Sequence, residues 1–190
     1  MLSRSDDPVD AALTSAVDAV LVALTRIDSD APVVLIDGRS GAGKTTLAAR
    51  LSERMPDADV IALDSLYPGW DGLAAGAKAV REGILEPHRA RRDGVWHRWD
   101  WTADQPAEAH VVPPLRALII EGSGVLTPDS ARLADVTVWL ESPEASRKRR
   151  ALDRDGDGYR PHWERWARQE REHLAADHPA LLADVHIEVP

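Results

Sequence analysis

The sequence predicts an α/β fold, a three-layer sandwich in which helices cover both faces of a parallel sheet of about five strands. Three observations predict it. Short apolar runs recur five times, segments of helical period fill the gaps between them, and a glycine-rich turn joins the first run to a helix. Parallel strands need crossover connections, and helical crossovers pack on both faces of the sheet. At 190 residues and 44% hydrophobic content, the chain fits a single domain, 1–190, with enough apolar surface for a real core.

The elements follow in order. Asp7 reads as a helix cap with Pro8 at the first helical position. Val9, Leu13, Ala16, Val17, Val20, Leu21 and Leu24 then recur with helical period, as in a packing helix without chemistry. Buried strands are predicted at 32–37 (PVVLID), 59–64 (DVIALD), 116–121 (RALIIE), 135–141 (DVTVWLE) and 184–189 (DVHIEV). Helical patterns fill 43–54, 72–86, 143–154 and 161–176. Trp139 alternates within a strand, and Trp163 and Trp166 share a helix face, so all three are expected to pack in the core. In such sheets ligands bind beyond the carboxyl ends of the strands. Asp37, Asp64 and Glu121 each close a strand on that rim, beside the glycine-rich turn.

Residues Gly38, Arg39, Ser40, Gly41, Ala42, Gly43, Lys44 and Thr45 satisfy G-x-x-x-x-G-K-[ST] between a predicted strand and a predicted helix. The chemistry needs those residue types. Glycines let successive N–H groups turn inward around phosphate oxygens, and the helix N-terminus adds partial positive charge. Lys44 reaches terminal phosphates and the Thr45 hydroxyl helps to hold Mg²⁺. The candidate nucleotide-binding set is Gly38, Ser40, Gly41, Ala42, Gly43, Lys44, Thr45 and Thr46. The loop alone does not say whether the phosphate is hydrolysed or transferred.

The segment "VIALDSLYPGWDGL" (60–73) bears on that question. Asp64 is either a plain metal-holding acid or the group that takes a proton from an attacking hydroxyl. Tyr67, Trp70 and Asp71 beside it favour the second, because water needs no shaped, partly apolar pocket and an organic acceptor does.

With these residues in view, the chain resembles the uridine kinase and phosphoribulokinase group of P-loop kinases over about residues 33–160. The phosphate loop comes first. "DSLY" (64–67) resembles that family's Asp-Ser-Phe-Tyr, whose Asp is the catalytic base. "WDW" (99–101) stands where the family has Tyr-Asp-Phe, a wall of the acceptor site, which implicates Trp99 and Asp100. "IIEG" (119–122) resembles the strand whose Glu contributes to the Mg²⁺ site, here Glu121 with Thr45 and Asp64. Arg147, Arg150 and Arg154 resemble the arginine-bearing lid helix, about 143–160. The resemblance implies strand order 2-3-1-4-5, with ATP and Mg²⁺ as cofactors. It also implies transfer of a γ-phosphoryl group to a hydroxyl of a nucleoside, sugar or similar metabolite, with Lys44, Asp64 and the three arginines as the catalytic set. The arginines can be argued from spacing as well. They fall at i, i+3 and i+7, on one helical face, where guanidinium groups can close over phosphates. One departure concerns the acceptor: the family's His-Ser-Arg base reader is replaced here by "TADQP" (102–106).

Other features bound the function. A net charge of −9 disfavours a nucleic-acid polymer as partner, and the absence of cysteine removes disulfides and thiolate metal sites. The N-terminal stretch lacks a signal-peptide core and no apolar run is long enough to span a bilayer, so the expected address is the cytoplasm, without membrane partners. Asp153, Asp155, Asp157, Gly158 and Glu164 fit the calcium-loop pattern D-x-[DN]-x-[DN]-G-x₅-E, although Arg160 and Pro161 do not suit such a loop and there is no second copy. An acidic, glycine-rich hinge is the alternative. The His residues show no zinc spacing. Arg91, Arg92, His97 and Arg98 either face an anionic acceptor or form a solvated turn. Two rival functions are a P-loop ATPase or GTPase switch and a nucleotide- or calcium-binding regulator.

Overall fold

The structure, a computed structural model, describes residues 7–190. Helix α1 (Pro8–Leu24) begins as expected, with the Asp7 carboxylate accepting from the Val9 amide at 3.0 Å. Strand β1 (Val33–Gly38) feeds the phosphate loop and helix α2 (Lys44–Arg54), and β2 (Ala58–Ala62) follows. A continuous helical segment comes next: α3 (Leu73–Val80), a π-helical stretch (Arg81–Leu85) and α4 (Glu86–Arg89). A hairpin, β3 (Gly94–Asp100) and β4 (Gln105–Val112), leads to β5 (Ala117–Glu121), α5 (Pro128–Ala131) and β6 (Val136–Glu141). The chain closes with α6 (Glu144–Tyr159), α7 (Trp163–Asp177), α8 (Pro179–Leu182) and β7 (Val185–Glu188).

The main sheet is parallel throughout, in the order β2-β5-β1-β6-β7. With the hairpin strands left out of the count, this is the expected 2-3-1-4-5. Strand β1 sits at the centre, buried along its whole length, and its side chains alternate between two apolar layers. Val34 and Ile36 pack with Leu13, Val17, Leu47 and Leu51 of α1 and α2. Val33 and Leu35 face Leu73, Ile84, Trp163 and Trp166 on the other side. Trp139 is likewise buried. Among the described residues, no helix is long and apolar enough to cross a membrane.

The structure departs from or adds to the sequence reading at three places. The hairpin was not anticipated: its strands are half-exposed, and a register shift between His97 and Trp99 blurs their alternation. Strand β2 ends at Ala62, so Asp64 lies in the 3-10 turn Leu63–Ser65 that follows. Leu63 is fully buried and turns the chain there, with the Leu66 and Tyr67 amides donating to its carbonyl. The calcium-loop pattern does not form a loop. Helix α6 runs to Tyr159 with one non-helical residue, Gly156 (φ 59°, ψ −140°), which places the acidic residues on helical backbone. On a helix, residues i and i+2 stand about 200° apart, so Asp153 and Asp155 cannot converge on one ion. Asp155 pairs with Arg154 and Glu164 with Lys148 instead.

Beneath the rim, Asp37 is spent on structure. Its carboxylate accepts from the Gly38, Gly124 and Leu126 amides and faces His173 Nε2 at 3.1 Å. His173 Nδ1 lies 2.8 Å from Asp177. Burial lowers the affinity of this ring for a proton, but the hydrogen bond and charge of Asp37, joined by Asp177, outweigh it and raise its pKa above 6.5. The folded-state pKa therefore exceeds the unfolded one. The stabilisation is complete below the unfolded value of 6.5 and is lost as pH rises through the raised folded value. Urea midpoints of the wild type are expected to fall between about pH 6 and about pH 9, and His173→Gln is expected to flatten that slope.

Candidate active site

The phosphate loop closes on backbone geometry that only glycine tolerates well. Gly41 has φ 79°, and a methyl group there would overlap the Arg147 carbonyl oxygen. Gly43 (φ 108°) caps α2. Gly41→Ala is expected to reduce nucleotide affinity by at least tenfold, since it meets both strain and an immovable backbone oxygen; calorimetric titration with MgATP checks this. Gly38 and Ala42 form the buried back of the loop, whereas Ser40, Gly41, Gly43, Lys44, Thr45 and Thr46 line a cleft of about 740 Å³.

Lys44 is buried, and its ammonium donates to the Arg39 carbonyl and the Ser123 hydroxyl, both at 3.3 Å. Thr45 Oγ1 donates to Glu121 Oε1 at 2.9 Å. Burial raises the Glu121 pKa, with Lys44 opposing and Asp64 reinforcing that shift. Asp64, exposed in its turn, lines the same cleft, and so do Arg150 and Arg154. Arg154 is held by Asp155, and Arg150 Nε donates to the Gly41 carbonyl at 2.9 Å. Among the described residues no cluster of three His, Cys, Asp or Glu side chains could hold a metal by itself.

An aromatic wall completes the cleft: Tyr67, Trp70, Trp101, Tyr159 and Trp166. The Trp70 ring stacks on Tyr159 at 5.5 Å and on His162 at 4.1 Å between centroids, and meets Trp101 at 5.0 Å. The polar tips of this wall are partly spent inside the protein. Tyr67 donates its hydroxyl to the Ser123 carbonyl at 2.7 Å, and Trp101 Nε1 donates to the Asp64 carbonyl at 2.9 Å. Burial, then the nearby carboxylates led by Asp64, keep the Tyr67 phenol un-ionised.

Four sequence-selected residues lie elsewhere. Asp71 is outside the cleft lining, paired with Arg165. Asp100 shapes the hairpin turn by accepting from the Thr102 and Ala103 amides, and Trp99 is half-buried in the hairpin. Arg147 is buried against the outside of the phosphate loop and does not line the cleft. Conversely, Trp101 was read only as the last residue of "WDW", Ser123, Tyr159 and Glu170 were not singled out from the sequence, and Trp166 was placed only in the core. The i, i+4 spacing of Trp166 and Glu170 was the signal that could have linked the last two to the site.

Fold and cleft together give the chain the architecture of the P-loop kinases. Solved structures described as kinases share that fold. One, described as a "Possible Uridine Kinase" from Bacillus stearothermophilus, superposes with a TM-score of 0.66 at 20% identity, covering 92% of this chain and 98% of that one. Another, a "putative fructose transport system kinase" from Silicibacter sp. TM1040, gives 0.62 at 27% identity over the same shares of the two chains. No protein-family model matches the sequence, and neither does any curated protein.

Proposed function

We propose that the chain is an ATP- and Mg²⁺-dependent small-molecule kinase that transfers the γ-phosphoryl group to a hydroxyl of a nucleoside, a sugar or a similar metabolite. One observation carries this reading: the phosphate loop, Asp64 and an aromatic wall share a single cavity. A hydrolytic switch needs the loop and a metal acid but has no use for a recess walled by Tyr67, Trp70, Trp101 and Trp166.

In this reading the loop amides and Lys44 hold the β- and γ-phosphates, and Arg150 and Arg154 neutralise charge on the transferring oxygens. Asp64 orients the acceptor hydroxyl and takes its proton. The hydroxyl oxygen bonds to the γ-phosphorus as the bond from that phosphorus to the β–γ bridging oxygen breaks, leaving ADP. The aromatic wall excludes water and contacts the apolar faces of the acceptor. Thr45 and Glu121, with Asp64 nearby, fit a Mg²⁺ ion: they are oxygen donors, few enough that the cation completes its shell with phosphate and water. When bound, the ion supplies charge neutralisation on the phosphate oxygens. The two structural relatives are described by uridine and by fructose transport, and both compounds are neutral alcohols.

The test is ADP formation from MgATP with and without a panel of nucleosides, sugars and related alcohols, with Asp64→Asn as the blank. Acceptor-dependent turnover supports the reading. Full turnover without any acceptor replaces it with an ATPase or GTPase switch.

A further inference from the structure

The peptide groups around Ser40 are gripped from two helices by opposite charges. On one side, Glu170 of α7 is only 2% exposed, and its Oε1 accepts from the Ser40 amide at 2.5 Å. The same oxygen accepts from the Ser123 hydroxyl at 3.2 Å, while Oε2 faces Arg39 Nε at 3.4 Å. On the other side, Arg147 of α6, 1% exposed, donates from Nη1 to the Ser40 carbonyl at 3.1 Å and from Nε to the Ser142 carbonyl at 3.0 Å. Burying two charged groups is expensive unless each is well bonded. Arg147 even leaves Nη2 buried without a partner among the described residues. An apolar pair would pack this space at less cost, so the charges are kept for what they hold.

What they hold is the outer half of the phosphate loop. Ser40 precedes Gly41, Gly43 and Lys44, which line the cleft. Ser123 links the carboxylate onward to Lys44 Nζ at 3.3 Å. The neighbouring residue on α7, Gln169, donates to the Trp70 carbonyl at 2.7 Å and accepts from the Leu73 amide at 3.3 Å. Helix α7 therefore grips the loop through Glu170 and the aromatic wall through Gln169.

We propose that Glu170 and Arg147 are positioning residues, a two-sided clamp on Ser40 that presets the loop amides and Lys44 for the polyphosphate. A cradle fixed beforehand spends no binding energy on ordering itself. The proposal rests on the kinase reading for the identity of the nucleotide, but it concerns binding and can be measured without an acceptor.

The experiment is calorimetric titration of full-length variants with MgATP, each variant checked for folding by its thermal transition, followed by steady-state kinetics. Glu170→Ala and Arg147→Ala are expected to weaken nucleotide binding roughly ten- to a hundredfold, the scale of a lost charge-assisted hydrogen bond. The acceptor KM should stay within about threefold. Glu170→Gln keeps an oxygen for the Ser40 amide and is expected to recover most of the affinity. Where an alanine variant does not fold, Glu170→Asp carries the test: it keeps the charge but withdraws the oxygen, and should bind more weakly than Glu170→Gln. The sign is informative, because simple electrostatics predicts the reverse: removing a carboxylate beside a phosphate site should tighten binding. Unchanged or tighter MgATP binding in folded Glu170→Ala overturns the clamp, as does a folded Glu170→Gln no better than alanine. A wild type that binds MgATP but phosphorylates no alcohol sinks the kinase reading and leaves the clamp standing.

Discussion

Asp64→Asn is expected to slow phosphoryl transfer by roughly a hundred- to ten-thousandfold, the range that positioned general bases contribute. The substitution preserves shape and the backbone bond from Trp101 Nε1 to the residue 64 carbonyl. It removes the negative charge and, with it, the capacity to take a proton. The signature is therefore a split: kcat collapses while the nucleotide Kd stays near that of the wild type. Rapid-quench measurement of ADP formation with a saturating acceptor separates the two quantities. A variant that loses nucleotide affinity in step with rate would make Asp64 a metal-holding acid instead, the role a switch would give it.

Lys44→Met should damage both quantities. The buried ammonium is tied to the Arg39 carbonyl and the Ser123 hydroxyl, so it is already oriented by the loop and by the segment after β5. Methionine fills much of the same space but brings no charge, which leaves the developing negative charge on the transferring group uncompensated. A loss of roughly a hundred- to a thousandfold in kcat is expected, the scale of removing one preorganised donor. Weaker MgATP binding should accompany it. Retention of full transfer by this variant would remove the phosphate loop from the reaction.

The parallel sheet was legible because its strands are short, mostly apolar runs and most of the connections between them carry helical period. The phosphate loop was legible because its glycines, lysine and threonine come in one uninterrupted stretch. The acceptor side was legible only in part: Asp64, Tyr67 and Trp70 stand in one quoted segment, whereas the rest comes from the hairpin at Trp101 and two helices at Tyr159 and Trp166. No local pattern announces that convergence. "WDW" directed attention to Trp99 and Asp100, yet the turn that Asp100 builds carries Trp101 into the cleft instead. Arg147 misled for a related reason. Spacing fixes a helical face, but α6 lies so close to Gly41 that Arg147 lands behind the loop and only Arg150 and Arg154 of the three reach the cavity.

The aromatic wall has an optical consequence. Of the seven tryptophans, Trp70, Trp101 and Trp166 line the cleft, whereas Trp96, Trp99, Trp139 and Trp163 do not. Indole emission depends on the polarity and stacking around the ring, so three of the seven fluorophores sit where a guest would alter them and four provide a steady background. The protein thus carries its own unlabelled gauge of occupancy, able to rank alcohols by the spectral shift they cause before any turnover is sought.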